Sequence, residues 1–469
     1  MEPNELISAT DTICAISTPP GVGGIAVARV SGPRAIEIVD TVWRGKRLAG
    51  CKSHTVHLGI LTDTRGEDLD QAVAAVFKGP ASFTGEDVVE LSVHGSRWIQ
   101  RELIATLCQA GCRLAEPGEF TRRAFMSGRI DLVEAEGIAD MIASDSRAAH
   151  RAASCQMRGH YSARIGQMRD KLVELASLLE LELDFSEEEV EFASRRQLSA
   201  LADELYRSLV RLRDSFAAGV AIKEGIPVAI VGPTNAGKSS LLNAITGDDR
   251  AIVSDIHGTT RDIVDDLVEI GDYQYRFQDT AGLRETSDAI ERIGIERSLK
   301  ALAHAHTIIY IVDLTDPETA IADMPSIVDR NPEADLLVLL NKTDLVSEDQ
   351  AGQIAAKVSV VMPRATVVPL STRNQEDIDR LKGHLTSLAD SHNPGLDLLV
   401  TNARHAQAFA RAAESAHRTI NALQDGLSGD LIAQDVRETI HHLSAITGVD
   451  AITTDTLLST IFTRFCIGK

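Results

Sequence analysis

The chain has 469 residues, 44% of them hydrophobic and 25% charged, a composition that excludes disordered and fibrous proteins and fits a soluble globular protein. This length is too great for one hydrophobic core, so we expect two or three domains. With 47 Lys plus Arg against 68 Asp plus Glu the net charge is −21, which excludes nucleic-acid binding driven by the whole surface and leaves a local basic patch or a partner.

The cysteines and the lack of long apolar runs indicate a cytoplasmic protein without membrane association. The six cysteines are scattered, with no Cys-x-x-Cys pair and no paired His ligands, unlike zinc or disulfide frameworks. No stretch approaches 18 apolar residues, and no Lys or Arg precedes Arg29. We therefore expect neither a membrane span nor a secretory or mitochondrial leader.

Residues 1–119 are predicted to form an α+β domain. Short β-rich runs alternate with helical patterns, and Gly or Pro marks most junctions. Strands are predicted at 12–16, 24–30, 72–77 and 88–93, and helices at 34–42 and 98–110.

Residues 120–222 are predicted to form long packed helices. Apolar residues recur three or four apart and therefore share one helix face: Ile165, Met168, Leu172, Leu175 and Leu179. The acidic run 187–191 is interpreted as a solvated helix end or loop.

Residues 223–377 alternate apolar strands with polar-faced segments, which predicts a parallel α/β sheet. Its strands are predicted at 227–231, 308–312, 336–340 and 367–369. Residues 378–469 are again helical, over 403–423, 432–447 and 454–465. A helical domain built from 120–222 and 378–469, with the α/β domain inserted in it, explains this order.

The segment 232–239 fits a phosphate-binding loop and stands between an apolar strand and a predicted helix at 240–245. Its glycines let backbone N–H groups face phosphate oxygens, while the helix N-terminus and Lys238 add positive charge. Ser239 is expected to hold Mg²⁺. A Gly-rich turn with a chance Lys is the alternative for this segment alone. The predicted nucleotide contacts here are Asn235, Ala236, Gly237, Lys238, Ser239 and Ser240.

A second motif, Asp279-Thr280-Ala281-Gly282, follows a predicted strand at 273–278. A carboxylate at this strand end can reach the Mg²⁺ shell, and Gly282 can turn its amide toward the γ-phosphate. The four residues are therefore predicted nucleotide contacts.

A third motif, Asn341-Lys342-Thr-Asp344, resembles the guanine-specificity motif of GTPases. There the Asp accepts hydrogen bonds from guanine N1 and the exocyclic amine, and adenine would leave the carboxylate unpaired. The three motifs in this order predict a GTP site, to which Ser371 of a degenerate fifth motif, Ser-Thr-Arg, also belongs.

The polar stretch 254–262 is predicted to be a mobile switch loop, with a plain surface loop as the alternative. Thr260 is the candidate second protein ligand of Mg²⁺, ordered only while the γ-phosphate is present. The predicted nucleotide contacts in this loop are Ser254, Asp255, Ile256, His257, Gly258 and Thr259.

Leu283 follows the second motif where Ras-type enzymes carry the Gln that orients the attacking water. A carboxylate can position water instead, which makes Glu291 the catalytic candidate. Without further support, the alternative interpretation of Glu291 is a solvated Glu on a helix.

Five further segments complete the resemblance of this sequence to a known family. They are Asp11-Thr-Ile with Thr18-Pro-Pro-Gly-Val-Gly-Gly, Ser82-Phe-Thr-Gly-Glu-Asp-Val-Val-Glu-Leu, Glu116-Pro-Gly-Glu-Phe-Thr-Arg-Arg-Ala-Phe and Phe465-Cys-Ile-Gly-Lys469. With the nucleotide motifs they resemble, nearly end to end, the MnmE (TrmE) family of tRNA-modification GTPases. The resemblance implies an N-terminal folate-binding and dimerising α+β domain, an all-helical domain and an inserted Ras-like P-loop G domain.

The family resemblance also implies how hydrolysis proceeds without the Gln. Such GTPases use K⁺ and G-domain dimerisation in place of Gln and an arginine finger. The implied K⁺ ligands are Asn235, Ser254, the backbone of Ile256, and Thr259, and Glu291 matches the water-positioning Glu.

The resemblance implies a site for 5-formyl-tetrahydrofolate at Arg29, Glu90, Arg129 and Lys469. The chain departs from the common family pattern at Val22, Pro233, Thr234, His257 and Arg129. Cys466 is either a buried structural thiol or a functional one near the folate site.

The function implied is K⁺-dependent GTP hydrolysis that drives a conformational cycle in tRNA modification. Together with the FAD-dependent partner MnmG, in a heterotetramer or larger assembly, a homodimer would add a carboxymethylaminomethyl or aminomethyl group at C5 of the wobble uridine. The alternative is an RNA-binding, ribosome-assembly GTPase of the Era type. A folate enzyme regulated by its G domain is a third possibility.

Overall fold

The computed structural model describes residues 11–184, 195–247, 266–279, 300–392, 399–448 and 468. The acidic run 187–191, the helix predicted at 454–465 and Cys466 lie outside the described residues. The chain divides into two compact units. Unit 1 comprises Met1–Ala139, Gln156–Leu201 and Arg418–Lys469, and unit 2 comprises Asp140–Cys155 and Ala202–His417. The four domain ranges given above stay a prediction.

The described residues contain 13 strands. They are β1 Ile13–Ile16, β2 Gly23–Ser31, β3 Trp43–Gly45, β4 Thr55–Thr62, β5 Asp68–Phe77, β6 Val88–Gly95, β7 Arg113–Leu114, β8 Ile226–Val231, β9 Asp266–Ile270, β10 Tyr273–Asp279, β11 Thr307–Asp313, β12 Asp335–Asn341 and β13 Thr366–Pro369.

The helices are numbered in chain order over the same residues. They are α1 Ala35–Thr41, α2 Arg97–Gln109, α3 Glu119–Met126, α4 Leu132–Ile142, α5 Arg147–Met157, α6 His160–Asp184, α7 Arg195–Asp214, α8 Phe216–Glu224, α9 Lys238–Thr246, α10 Glu318–Val328, α11 Glu348–Val361, α12 Gln375–His392, α13 Ala403–Gln424 and α14 Gly429–Thr447.

Unit 1 is built on a seven-stranded sheet with the order β3-β4-β5-β6-β2-β1-β7. All its neighbours are antiparallel except β1 and β7. Strand residues alternate between two faces, and one face packs with α1 and α2 into a buried core. On the helical side of this unit α6 packs against α14, and the predicted face of Ile165 and its four partners is buried.

A charged network ties the edge of this sheet to α3. The side chain of Glu119 is fully buried and accepts hydrogen bonds from Arg113 on β7 and from Arg123 one helical turn away. The two arginines also share the carboxylate of Asp11, at 2.7 Å and 2.5 Å. Because a buried carboxylate needs such partners, this network joins the segment before β1, the edge strand β7 and α3.

Unit 2 is built on a six-stranded sheet with the order β13-β12-β11-β8-β10-β9. Its strands are parallel except β9, which runs antiparallel to β10 at the edge. Successive residues of the buried strands enter two separate cores, one covered by α9 and α12 and the other by α10 and α11. Strands covered on both faces read as continuous apolar runs, which is why the sequence pattern identified them.

The predicted fold class is confirmed: an α+β unit, helices and a P-loop α/β sheet are all present. Sequence reasoning missed the strands β3, β4, β7 and β9. Within the part of the chain that the structure describes, no helix combines the length and the apolar character needed to span a membrane.

Candidate functional site

Five parallel strands of unit 2 end at one edge of the sheet, and the motif residues follow these ends. The central strand β8 lies between β10 and β11, so the chain order reverses on its two sides. Open α/β sheets bind ligands in the crevice beyond the carboxyl ends of the strands at such a point. The predicted phosphate loop joins β8 to α9 there.

The backbone of the phosphate loop is packed closely against two neighbouring strand ends. Gly232 and Gly237 adopt positive φ angles of 148° and 103°. A Cβ on Gly232 would lie 2.6 Å from the Ile311 carbonyl oxygen, and one on Gly237 would lie 2.2 Å from Asn341 Nδ2. Asn235 between them is also left-handed, with φ 63°, which is uncommon for a residue other than glycine. Side chains larger than hydrogen are therefore excluded at both glycines.

Lys238 and Ser239 begin α9 directly after this loop. The Lys238 amine extends back over the loop and donates to the carbonyls of Gly232 and Pro233, both at 2.8 Å. A helix N-terminus with free N–H groups and a nearby ammonium is an anion site. The geometry therefore suits the polyphosphate of a nucleotide.

The guanine motif is bonded both to the phosphate loop and to the fifth motif. The buried Asn341 donates through Nδ2 to the Ala236 carbonyl at 2.8 Å and accepts from the Thr372 N–H at 3.3 Å. The hydroxyl of Ser371 donates to Asp344 Oδ1 at 2.8 Å. These bonds hold the Asp344 carboxylate in place, with more than a third of its side chain exposed for a base.

Asp313, at the end of β11, is bonded to the guanine motif and was not singled out by sequence reasoning. Its carboxylate is paired with the Lys342 amine and accepts from the Thr315 hydroxyl at 2.6 Å. Burial raises the pKa of Asp313, but the hydrogen bonds from Lys342 and Thr315 outweigh burial and leave that pKa below its usual value. The signal in the sequence was its position, since Asp313 ends a buried strand in parallel register with Asn341.

Several predicted site residues lie outside the described residues. Asp279 ends β10 opposite Ile230 on β8, so its backbone is at the same sheet edge as the phosphate loop. The switch-loop residues, the rest of the second motif and the catalytic candidate are not described: Ser254, Asp255, Ile256, His257, Gly258, Thr259, Thr260, Thr280, Ala281, Gly282, Leu283 and Glu291.

A second predicted site lies on the sheet of unit 1. Arg29 on β2 and Glu90 on β6 are directly opposite in the antiparallel pairing and form an ion pair at 2.8 Å. The Arg29 guanidinium also lies over the rings of Phe83 and Phe120, 5.4 Å and 5.6 Å from their centroids. The ion pair is therefore covered by two aromatic rings on one side, and both of its side chains remain partly exposed.

The other two predicted folate contacts are less fully described. Arg129 lies beside Gly85. Gly85 belongs to the same loop as Phe83, whose ring contacts Arg29. Lys469 lies outside the described residues, but Gly468 before it accepts a hydrogen bond from the Ser17 hydroxyl at 2.9 Å. Because this serine follows β1, Gly468 lies beside the end of the strand next to β2.

Similarity to known proteins covers the whole chain. Residues 12–129 match the domain family described as GTP-binding protein TrmE N-terminus, and residues 132–466 match the family described as MnmE helical domain. The chain is 47% identical over 464 residues to the tRNA modification GTPase MnmE of Parabacteroides distasonis, an alignment that covers 98% of this chain and 100% of that protein. This chain belongs to the MnmE family.

Other MnmE proteins match over similar lengths. The protein of Porphyromonas gingivalis is 46% identical, with 98% of both chains covered, and that of Cytophaga hutchinsonii is 43% identical, with 100% of both covered. The predicted family and the predicted class of GTP hydrolase are thereby confirmed. Similarity over the helical flanks as well as the G domain favours MnmE over the Era-type alternative.

Proposed function

We propose that this MnmE-family GTPase hydrolyses GTP to drive modification of the wobble uridine of certain tRNAs at C5. Its partner would be the FAD-dependent protein MnmG, and the group added would be carboxymethylaminomethyl or aminomethyl. The observation that carries the proposal is the full-length similarity to proteins named tRNA modification GTPases. The P-loop and guanine motif joined through Asn341 support its GTPase part.

The test of this function is mass spectrometry of wobble nucleosides from cells that lack the protein. We expect the modified uridines to disappear and to return when the wild-type gene is restored, but not with a Lys238→Ala variant. Unchanged nucleosides together with accumulating ribosomal precursors would favour the Era-type alternative instead.

Mg²⁺ would be held by Ser239 and Thr260, and K⁺ by Asn235, Ser254, the backbone of Ile256, and Thr259. The two described ligands are placed where such ions would bind, because Asn235 lies on the phosphate loop and Ser239 in the first turn of α9. The two ions would supply positive charge beside the phosphates.

Hydrolysis should therefore depend on the monovalent cation. We expect the rate in K⁺ to exceed the rate in Na⁺ several-fold, because the proposed oxygen shell suits the larger ion. The measurement is phosphate release at equal ionic strength in the two salts. Equal rates would remove the K⁺ assignment while leaving the GTP site intact.

The 5-formyl-tetrahydrofolate site would be formed by Arg29, Glu90, Arg129 and Lys469. The ion pair of Arg29 with Glu90 beside two aromatic rings supports this assignment, since it offers both polar and apolar contacts for a pterin. Bound folate would supply the one-carbon unit of the modification.

A homodimer would form through the open face of the unit 1 sheet. Val56 and Leu58 on β4 are 66% and 65% exposed, and this face continues through Val73 and Ala75 of β5. Apolar sheet faces of this kind mark interaction sites in soluble proteins. A cytoplasmic protein with this face covered by a second copy, and with MnmG and tRNA as further partners, is the assembly we propose.

A further inference from the structure

Asp377, in the first turn of α12, is bonded to the nucleotide site and not to its own helix end. Only 9% of its surface is exposed. Its Oδ2 atom accepts from the backbone N–H of Ser371 at 2.8 Å, and its Oδ1 atom is paired with Arg380. The two oxygens of one carboxylate therefore have different partners, which fixes the rotation of the side chain.

This bond reaches further back than helix capping requires. Asn374 precedes α12, and its side chain already accepts from the Glu376 N–H at 3.1 Å. An acid at the third helical position ordinarily reaches back to the N–H of the capping residue itself. Asp377 passes Asn374 and bonds to a residue three positions earlier, in the loop of the fifth nucleotide motif.

The bond of Asp377 continues to the residue that reads the base. Ser371 is buried, so its N–H has no ready alternative partner in water. The hydroxyl of the same Ser371 donates to Asp344 Oδ1 at 2.8 Å. A carboxylate that fixes the Ser371 backbone also fixes the point from which this side chain extends, and so helps to keep its hydroxyl within reach of Asp344.

We propose that Asp377 is a positioning residue for guanine recognition. It acts through Ser371 on Asp344 and makes no contact with the nucleotide itself. Its contribution is to keep the Asp344 carboxylate aligned with both guanine donors, N1–H and the exocyclic amine.

The test compares GDP with IDP, whose base lacks the exocyclic amine. In the full chain, Asp377→Ala should weaken GDP binding roughly 10-fold, the scale of one hydrogen bond to a charged group. IDP binding should weaken by about twofold or less, because this base makes only one of the two bonds to Asp344. The preference for GDP over IDP should thus contract about fivefold, measured by fluorescence titration of both nucleotides.

Two matched variants isolate the hydrogen bond. Asp377→Asn keeps an oxygen acceptor for Ser371 and should keep the wild-type GDP/IDP ratio within about twofold. Asp379→Ala removes an exposed carboxylate from the same helix, bonded to Gln375, and should leave both affinities unchanged. If Asp377→Ala is insoluble, Asp377→Glu keeps the charge but moves the acceptor by one methylene, and it should contract the same ratio.

A uniform loss of GDP and IDP affinity in Asp377→Ala would overturn the proposal, because a purely structural residue would weaken both nucleotides equally. An Asp377→Asn variant that behaves like Asp377→Ala would overturn it as well. A contracted ratio that Asn restores supports it.

Discussion

At the scale of a single residue, we expect the Asp344 carboxylate to decide base preference. Asp344→Asn should weaken GTP binding and relax the preference for GTP over xanthosine triphosphate, because an amide cannot accept both guanine hydrogen bonds. Competition binding with the two triphosphates measures this preference. An unchanged preference would contradict the assignment of the guanine motif, and Asp349→Asn, on the exposed first turn of α11, serves as the control.

Glu291 is a second single-residue test, since Leu283 stands where Ras-type enzymes carry the Gln that orients the attacking water. Glu291→Ala should lower kcat by roughly 10²-fold or more and leave nucleotide affinity nearly intact, because a water-positioning group has no contact with ground-state GTP. Single-turnover hydrolysis in K⁺ buffer gives the rate, and nucleotide titration gives the affinity. The control is Glu269→Ala, which should hydrolyse GTP at the wild-type rate. If the rate of Glu291→Ala is also within about threefold of wild type, Glu291 is an ordinary exposed helix residue.

At the scale of residues, the sequence predicted the residues of the named motifs but not the residues whose side chains bond to those motifs. The phosphate-loop and guanine-motif residues were predicted because their chemistry requires specific residue types at specific spacings. Asp313 and Asp377 were missed because their partners, Lys342 and Ser371, are 29 and 6 positions away. Only the fold brings such pairs together.

At the scale of elements, the buried carboxylate of Glu119 joins α3 to the sheet of unit 1. Glu119→Ala should lower the free energy of unfolding of this unit by about 3 kcal/mol, the lower end for breaking a buried ion pair, because Arg113 remains partly exposed. Urea unfolding followed by tryptophan fluorescence measures it, since both tryptophans, Trp43 and Trp98, lie in unit 1.

The same network predicts a pH dependence. Burial raises the pKa of Glu119, but hydrogen bonds from Arg113, the Glu116 backbone and Arg123 outweigh burial and lower it. A lowered pKa stabilises the fold above the ordinary Glu value of about 4.3, and this stabilisation is lost as the pH falls through the folded pKa. The difference between wild type and Glu119→Ala should therefore shrink below about pH 4. The exposed Glu37, paired with Arg34, is the control, and Glu37→Ala should not shift the unfolding midpoint.

The elements that sequence reasoning missed have physical reasons in common. Strand β9 is an antiparallel edge strand whose exposed side carries Leu267 and Glu269, so its pattern is weaker than that of the buried parallel strands. Strand β4 places Val56 and Leu58 on the open face, the reverse of the usual apolar-in pattern. The parallel strands of unit 2 were found from their continuous apolar runs, whereas β4 and β9 were missed because each carries exposed residues that weaken its pattern.

At the scale of the whole molecule, cross-strand register links the two proposed features of unit 1. Val56 lies opposite Ala75, Ala75 opposite Glu90, and Glu90 opposite Arg29. Directly opposite residues in antiparallel pairs share a face. The exposed valine and the proposed folate pair thus form one row across four strands, and a partner covering β4 would extend toward the folate site.

A charge placed in this face is the last test. Leu58→Glu should turn the proposed dimer into a monomer, because a symmetrical interface would bury two unpaired carboxylates, each costing several kcal/mol. Sedimentation equilibrium over micromolar concentrations gives the mass directly. Val360→Glu is the matched control, since Val360 is 80% exposed on α11 in unit 2 and should leave the mass unchanged. A Leu58→Glu protein that keeps its dimer mass would move the interface away from β4, because two buried charges could not be accommodated there.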